Sequence, residues 1–389
     1  MTDSTTTKSP TPHDDATCIL CGRCLAVCPL FGTTQQEELS PRAKKFLLQE
    51  VANRGEGLSQ KAVQDLAGLC LGCERCVAEC PQGVDVPGAL TRLKAGHPGW
   101  KGWVWKQIIT RSGTLFPLLS QWGSRVPGVL PDTRMAQLRA MSAQDTLTPW
   151  VRVRGFDTCG RGEKVLLFAG CTGRYTRPLW NENSKTLLSG LGFRVLDSPD
   201  WGCCGHTLGL AGLQEDQRAM QVRNLSLWRG LGRPRIVAYC ATCLTGLSRM
   251  PRADLGWETG EREEWTRAVT PLAAVLGETK FQLLDTAPEQ LVLHRPCHSP
   301  DLGAAFGPLG DFIQSSGLEV TVQDDCCGLG GSMQLEAPGL SRRVATCFWD
   351  KGKTPGQVLT ACSGCVLQLT ASAPQGTLVG HWLDVLTFE

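Results

Sequence analysis

No stretch of the 389-residue chain reaches eighteen consecutive apolar residues, the minimum for a membrane-spanning helix. The most hydrophobic window, "VWKQIITRSGTLFPLLSQW", is broken by Lys106, Arg111 and Pro117, so no transmembrane helix is expected. The first residues, "MTDSTTTKSPTPHDDAT", lack the basic and apolar regions of a secretory signal, which predicts a cytoplasmic protein with reduced thiols, at most peripheral at the inner face of a membrane. Charge of one sign is also missing. With 39 basic and 37 acidic side chains dispersed along the chain, the footprint of a nucleic-acid binder is absent. There is no G-x-G-x-x-G after a strand, no G-x-x-x-x-G-K-[ST] and no G-x-S-x-G, so nothing here is expected to bind flavin or nicotinamide.

What the chain has in excess is cysteine, twenty in all. A chain of this length can bury two or three cores without covalent staples, so the thiols point to chemistry and not to compensation for a thin core.

Two runs share the pattern C-x2-C-x2-C-x3-C-P. "CILCGRCLAVCP" supplies Cys18, Cys21, Cys24 and Cys28, and "CLGCERCVAECP" supplies Cys70, Cys73, Cys76 and Cys80. Three closely spaced thiolates can wrap three corners of a cubane while the fourth reaches a neighbouring one. The expected sets are Cys18, Cys21 and Cys24 with Cys80, and Cys70, Cys73 and Cys76 with Cys28. Zinc is the bland alternative, but its sites use two C-x2-C pairs and need neither the third close cysteine nor the proline. Between the runs, Ser40 and Pro41 open one helix that Gly55 should stop, and Ser59 opens a second leading into Cys70.

Beyond Cys159 short apolar runs alternate with longer amphipathic segments, in the order of an open α/β sheet, and the order then starts again. The cysteines repeat with it. Cys171, Cys203, Cys204, Cys240 and Cys243 recur as Cys297, Cys326, Cys327, Cys362 and Cys365, at offsets of 126, 123 and 122 residues for Cys171, Cys203 and Cys240. Composition alone would yield the triplet Cys-Cys-Gly roughly 0.1 times, so two copies in register mark a duplicated module. Cys171 and Cys240 should follow the carboxyl ends of strands, where ligands gather in such sheets. Gly205 and Gly328 should let the backbone pass close to whatever the paired thiols hold. Five converging thiolates exceed what zinc needs, and an iron–sulfur assembly fits better.

These features predict an α+β multidomain chain: a tail at 1–16, an alpha-helical ferredoxin-type domain at 17–96, a helical connector at 97–158, and tandem open α/β modules at 159–258 and 259–389. The connector holds Trp100, Trp103, Trp105, Trp122 and Trp150, read as packing between domains in preference to a docking face for a partner or membrane. His206 and His298 each follow a cysteine of the repeat and are candidates for a hydrogen bond to sulfur or a proton role, set against a surface or supporting position with no proton role. His294 and His381 read as satisfied core histidines, and Cys159 and Cys347, outside the repeat, as ordinary thiols.

The helix-separated cysteine runs resemble the alpha-helical ferredoxin domains of subunits of heterodisulfide reductases, glycolate oxidases and anaerobic glycerol-3-phosphate dehydrogenases. The repeats resemble the duplicated cysteine-rich domain, often called the CCG domain, of heterodisulfide reductase catalytic subunits and of glycolate and lactate oxidase iron–sulfur subunits. The domain order, "ELSPRAKKFLLQE" between the runs and the "GHWLDVL" ending look most like the glycolate oxidase iron–sulfur subunit family. That resemblance implies two 4Fe-4S cubane clusters, an FAD-binding dehydrogenase subunit as partner and a quinone or other redox acceptor. It makes the chain an electron-transfer subunit of a glycolate or D-lactate dehydrogenase, not an enzyme by itself. In heterodisulfide reductase the full five-cysteine set implies a noncubane cluster per module, with a disulfide cleaved between the two, so one or two additional clusters are expected in the repeats. Flavin-linked family members often lack part of the cysteine set, whereas this chain keeps all ten, which sustains disulfide reduction as the alternative.

Overall fold

The computed structural model describes residues 17–54, 59–125, 133–142, 147–156, 158–196, 201–351 and 356–388. The expected tail at 1–16 and the expected stop at Gly55 lie outside them. The chain is mixed helix and parallel sheet, with helices alone before residue 151 among the described residues.

Both helices expected between the cysteine runs form where their caps predict. Helix Pro41–Arg54 starts after Ser40, whose Oγ accepts from Ala43 N–H at 3.1 Å, and helix Gln60–Gly68 starts after Ser59, whose Oγ accepts from Ala62 N–H at 3.2 Å. Each cap satisfies an amide that the first helical turn leaves without a partner.

Eleven strands follow among the described residues: β1 Val151–Gly155, β2 Lys164–Phe168, β3 Arg194–Val195, β4 Arg235–Ala238, β5 Val269–Pro271, β6 Lys280–Leu283, β7 Gln290–His294, β8 Glu319–Gln323, β9 Gln357–Thr360, β10 Leu378–His381 and β11 Leu386–Phe388. Strands β3-β2-β4-β5 form one all-parallel sheet and β8-β7-β9-β10 another. The two orders are the same. In each, the first and third strands of the module lie side by side and the second and fourth flank them, so the connections leave in opposite directions between the central pair. That crevice is where open α/β sheets take their ligands. In the first sheet the central strands are apolar and buried after their first residues, Lys164 and Arg235: Val165, Leu166, Leu167 and Phe168 are fully buried, as are Ile236, Val237 and Ala238.

Three expectations are corrected. The connector is not wholly helical: after helices Trp100–Thr110, Ser112–Gly123 and Thr133–Ala140 the chain enters β1, which pairs parallel with β11 and antiparallel with β6. Its Val-Arg-Val-Arg alternation is a period of two, with Val151 and Val153 buried. The first module also does not end at 258. β5 pairs with β4 in the first sheet, and the 3₁₀ turn Leu272–Val275 follows it as the turn Trp382–Val385 follows β10. Finally, packing explains Trp105, whose indole N–H donates to Thr207 O, and the buried Trp150, but Trp100, Trp103 and Trp122 are 72%, 61% and 65% exposed.

His294 and His381 are satisfied and buried, as expected. His294 pairs with Thr360 Oγ1 and Asp325 O, each at 3.0 Å, while His381 lies 3.2 Å from Tyr239 O and its Nδ1 accepts from Leu383 N–H. Burial holds both well below the usual histidine range, at about 4, so both stay neutral.

Asp384 joins the chain end to the first module. Its Oδ2 accepts from His381 N–H at 2.8 Å and its Oδ1 from Trp180 Nε1–H at 2.5 Å, on helix Pro178–Gly190. Removing it leaves two buried donors without acceptors, each costing about 1–3 kcal/mol. Asp384→Ala is therefore expected to lower unfolding stability by about 2–4 kcal/mol at neutral pH. Trp180→Phe should cost less, and a double-mutant cycle in urea should show the two changes coupled; full additivity would refute the link.

Candidate functional site

The ten cysteines of the repeats all lie beyond the carboxyl ends of strands. Cys171 follows β2, Cys203 and Cys204 follow β3, and Cys240 follows β4, with Cys243 in the first turn of helix Ala241–Ser248. Cys297, Cys326, Cys327, Cys362 and Cys365 stand in the same relation to β7, β8 and β9. The carboxyl ends of the two sheets face each other, and Ala241 N–H donates to Ala361 O at 2.8 Å across the seam.

The thiols follow one another in one continuous row. It runs Cys171, Cys203, Cys204, Cys243, Cys240, crosses to Cys362, and returns through Cys365, Cys327 and Cys326 to Cys297. The second half repeats the first in reverse. Cys327 and Cys365 stand 3.1 Å apart, and Ser363 N–H reaches across the seam to Cys240 Sγ at 3.4 Å.

Thiols that donate to a neighbouring sulfur, such as Cys171 and Cys243, are pushed well up, by that hydrogen bond first and by burial next. Those that accept from two neighbours, Cys204, Cys240 and Cys326, are pulled down. Left to themselves the ten sulfurs cannot all ionise in so dry a place; cationic metal is what would let them. Among the described residues no three His, Cys, Asp or Glu side chains converge on a single-ion position. Sulfurs strung in a row are instead disposed to meet different irons, so the donor set fits a polynuclear group better than zinc.

At Gly205 and Gly328 the backbone turns back toward the paired thiols. Both have positive φ, +77° and +86°, and each N–H donates back to the sulfur of the first cysteine of its pair, at 3.5 and 3.4 Å. The close approach that demands glycine is to the following helix: a Cβ on Gly328 would sit 2.5 Å from Ser341 O.

In the helical N-terminal region the cysteines come together in crossed sets. One cavity is lined by Cys18, Cys21, Cys24 and Cys80, together with Cys76, and a second by Cys28, Cys70, Cys73 and Cys76. Cys24 feels Cys18, Cys21 and Cys80 electrostatically, and Cys76 feels Cys70, Cys73 and Cys28. The second set adjoins the repeats. Burial first, and then Cys326, push Cys73 up to about 12, and Cys297 also feels Cys73. Arg75 donates to Asp324 O, and an ion pair between Glu74 and Arg249 fastens the same loop to the first module.

His206 and His298 meet between the modules, their rings 4.9 Å apart and nearly perpendicular. His298 Nδ1 lies 3.3 Å from Thr242 Oγ1, while Nε2 of His206 is buried without a hydrogen-bond partner among the described residues. A surface role is thus set aside for both. Cys159 is exposed and Cys347 half-buried, and neither joins the row.

Sequence reasoning missed Lys44. It is 2% exposed and lines the Cys28 cavity, where its charge opposes the burial that raises the Cys28 thiol. The available signal was the spacing of Ser40, Pro41 and Lys44, which share one buried face of their helix.

Two family models match the chain: a 4Fe-4S dicluster domain over residues 15–84 and a cysteine-rich domain over 165–248 and again over 291–370. The glycolate oxidase iron–sulfur subunit of Escherichia coli (strain K12) is 25% identical over 390 residues, covering 95% of this chain and 92% of that protein. The protein named probable glycolate oxidase iron–sulfur subunit of Bacillus subtilis (strain 168) is 24% identical, again covering 95% and 92%. One of the subunits of the dihydromethanophenazine:CoB–CoM heterodisulfide reductase of Methanosarcina mazei is 22% identical, covering 89% and 85%.

Proposed function

We propose that this chain, which belongs to the family of iron–sulfur subunits joining a 4Fe-4S dicluster domain to a duplicated cysteine-rich domain, is the electron-transfer subunit of a flavin-linked 2-hydroxy acid dehydrogenase acting on glycolate or D-lactate. The observation that carries this reading is the order of the sulfur sets. The Cys18, Cys21, Cys24 and Cys80 set adjoins the Cys70, Cys73, Cys76 and Cys28 set, Cys73 adjoins Cys297 and Cys326, and the row of ten thiols leads on from there. Iron–sulfur clusters held at such sets accept and return single electrons. The chain's own contribution is to supply thiolates in crossed groups that bring neighbouring sites together, to keep them dry, and to set the charge around them.

No flavin or nicotinamide motif is present in the sequence, so substrate oxidation falls to a partner subunit that carries the flavin. The electrons would pass to a quinone or another acceptor. No described helix is long and apolar enough to cross a membrane, and peripheral association from the cytoplasmic side suits this role.

The second reading is a heterodisulfide reductase-like subunit that cleaves a small disulfide at the repeats. The unbroken ten-thiol row, with both five-cysteine sets complete and facing each other, favours it.

Protein purified without oxygen should contain about eight irons if only the N-terminal sets are loaded and about sixteen if both repeats hold a four-iron cluster. The isolated chain should oxidise neither glycolate nor D-lactate with an artificial acceptor, and turnover by the chain alone would overturn the first reading. Reduction of small disulfides with an artificial donor, abolished by Cys204→Ala or Cys327→Ala, would instead establish the second.

Lys44 offers a finer check. Its ammonium favours the more negative, reduced state of whatever the Cys28 set holds, so Lys44→Gln should lower one cubane midpoint potential by on the order of 60 mV, equivalent to a tenfold change in a one-electron equilibrium. EPR-monitored redox titration reads this directly, and an unchanged potential would remove Lys44 from the site.

A further inference from the structure

The two ends of the thiol row have different surroundings. The Cys297 and Cys326 end is covered by the Leu71–Glu74 loop of the N-terminal region: Cys73 lies beside both sulfurs, and a Cβ on Gly330 would sit 2.8 Å from Leu71. The Cys171 and Cys203 end has no such cover among the described residues. It forms the floor of a cavity of about 550 Å³, a volume ordinary for small-molecule sites.

Four cationic side chains line this cavity, Arg111, Arg174, Lys185 and Arg223, and no carboxylate does among the described residues. In a chain whose acidic and basic residues are nearly equal in number, that is a local concentration of one sign. Ser112, from the start of helix Ser112–Gly123, lines the same wall and is 7% exposed. Among the described residues Arg111, Lys185 and Arg223 make no ion pair, and Ser112 and Asn181 make no side-chain hydrogen bond. Unpaired cations and polar side chains thus border the space above two redox-capable sulfurs.

We propose that this cavity binds a small molecule carrying at least two anionic groups, carboxylate or phosphate, and holds it against the Cys171 and Cys203 end of the row. This deepens the proposed function and rests on it: the covered end receives electrons from the N-terminal sets, or gives electrons to them, and the open end is where a soluble reactant meets the chain. Two of the cations suffice for one anionic group, and the other two for a second.

The test is isothermal titration of the reconstituted full-length protein with succinate and with glutathione disulfide, using acetate and succinamide as controls. Saturable one-site binding of either dianion, with dissociation constants of roughly 1 mM or below, is expected, and neither control should match it. The double variant Arg111→Gln, Lys185→Gln should weaken binding at least tenfold, whereas Arg125→Gln, outside the cavity, should not. Absence of saturable binding by both dianions overturns the proposal, as does equal binding by the double variant and the parent protein. Iron content measured on the same samples keeps this separate from the proposed function: iron-loaded protein that binds no dianion sinks the cavity assignment alone, and protein lacking iron sinks the electron-transfer reading whatever the titration gives.

Discussion

The carboxyl ends of two parallel sheets meet at a seam where Ala241 N–H donates to Ala361 O and the Cys240 thiol lies against Cys362. Everything else about the repeats is arranged around that contact. Because both sheets have the same strand order, the crevice between the first and third strands of one module faces its counterpart in the other, and the loops carrying cysteine from all three strands converge there. Burying ten sulfurs in one place is tolerable as thiols, which pack as small apolar groups. It becomes unfavourable as soon as several ionise, since burial and mutual repulsion both oppose charge. The ten thiols therefore stay largely neutral unless cations balance them, and their polar surroundings are fixed by His294, His381 and Asp384, whose hydrogen bonds are made within the protein.

The seam is symmetric but the molecule is not. The N-terminal helices dock on one end of the row, with Arg75 on Asp324 O, the Glu74–Arg249 pair, and Lys94 paired to Glu336. Gly72 marks how close this docking is: its φ is +65° and a Cβ there would lie 2.5 Å from Leu210. One end of the row thus faces the N-terminal sulfur sets and the other borders the open cavity. Duplication produced two equivalent sites, and the docking of a third element made them inequivalent.

Much of this was legible in the sequence because the strongest signals are local. The crossed grouping of the N-terminal cysteines follows from three close thiols and a fourth set apart, helix starts follow from Ser40 and Ser59, and the duplication follows from cysteine offsets that hardly drift. What was not legible depends on partners distant in the chain. Val151–Gly155 becomes a strand because it can pair with Leu386–Phe388 and Lys280–Leu283, more than a hundred residues away, and β5 has only three residues and no alternation to announce it. That Gly328 is packed too tightly for a side chain was not legible for the same reason, since the atom that excludes one, Ser341 O, belongs to a helix thirteen residues on.

Lys44 and the cationic cavity show the limit more sharply. A lysine in an amphipathic helix reads as solvent-facing by default, and only the docked cysteine loop shows that its charge faces Cys28. Arg111, Arg174, Lys185 and Arg223 come from four separate segments of ordinary composition, and it is the topology that assembles them around Cys171 and Cys203. Charge gathered this way persists only where something repays the repulsion between like charges. Here no carboxylate lines the cavity among the described residues, and Arg111, Lys185 and Arg223 make no ion pair there, which leaves solvent or an anionic ligand to balance these three. Since the same cations stand over the uncovered end of the sulfur row, the physical requirement for a counter-charge and the functional requirement for a reactant are met at one place.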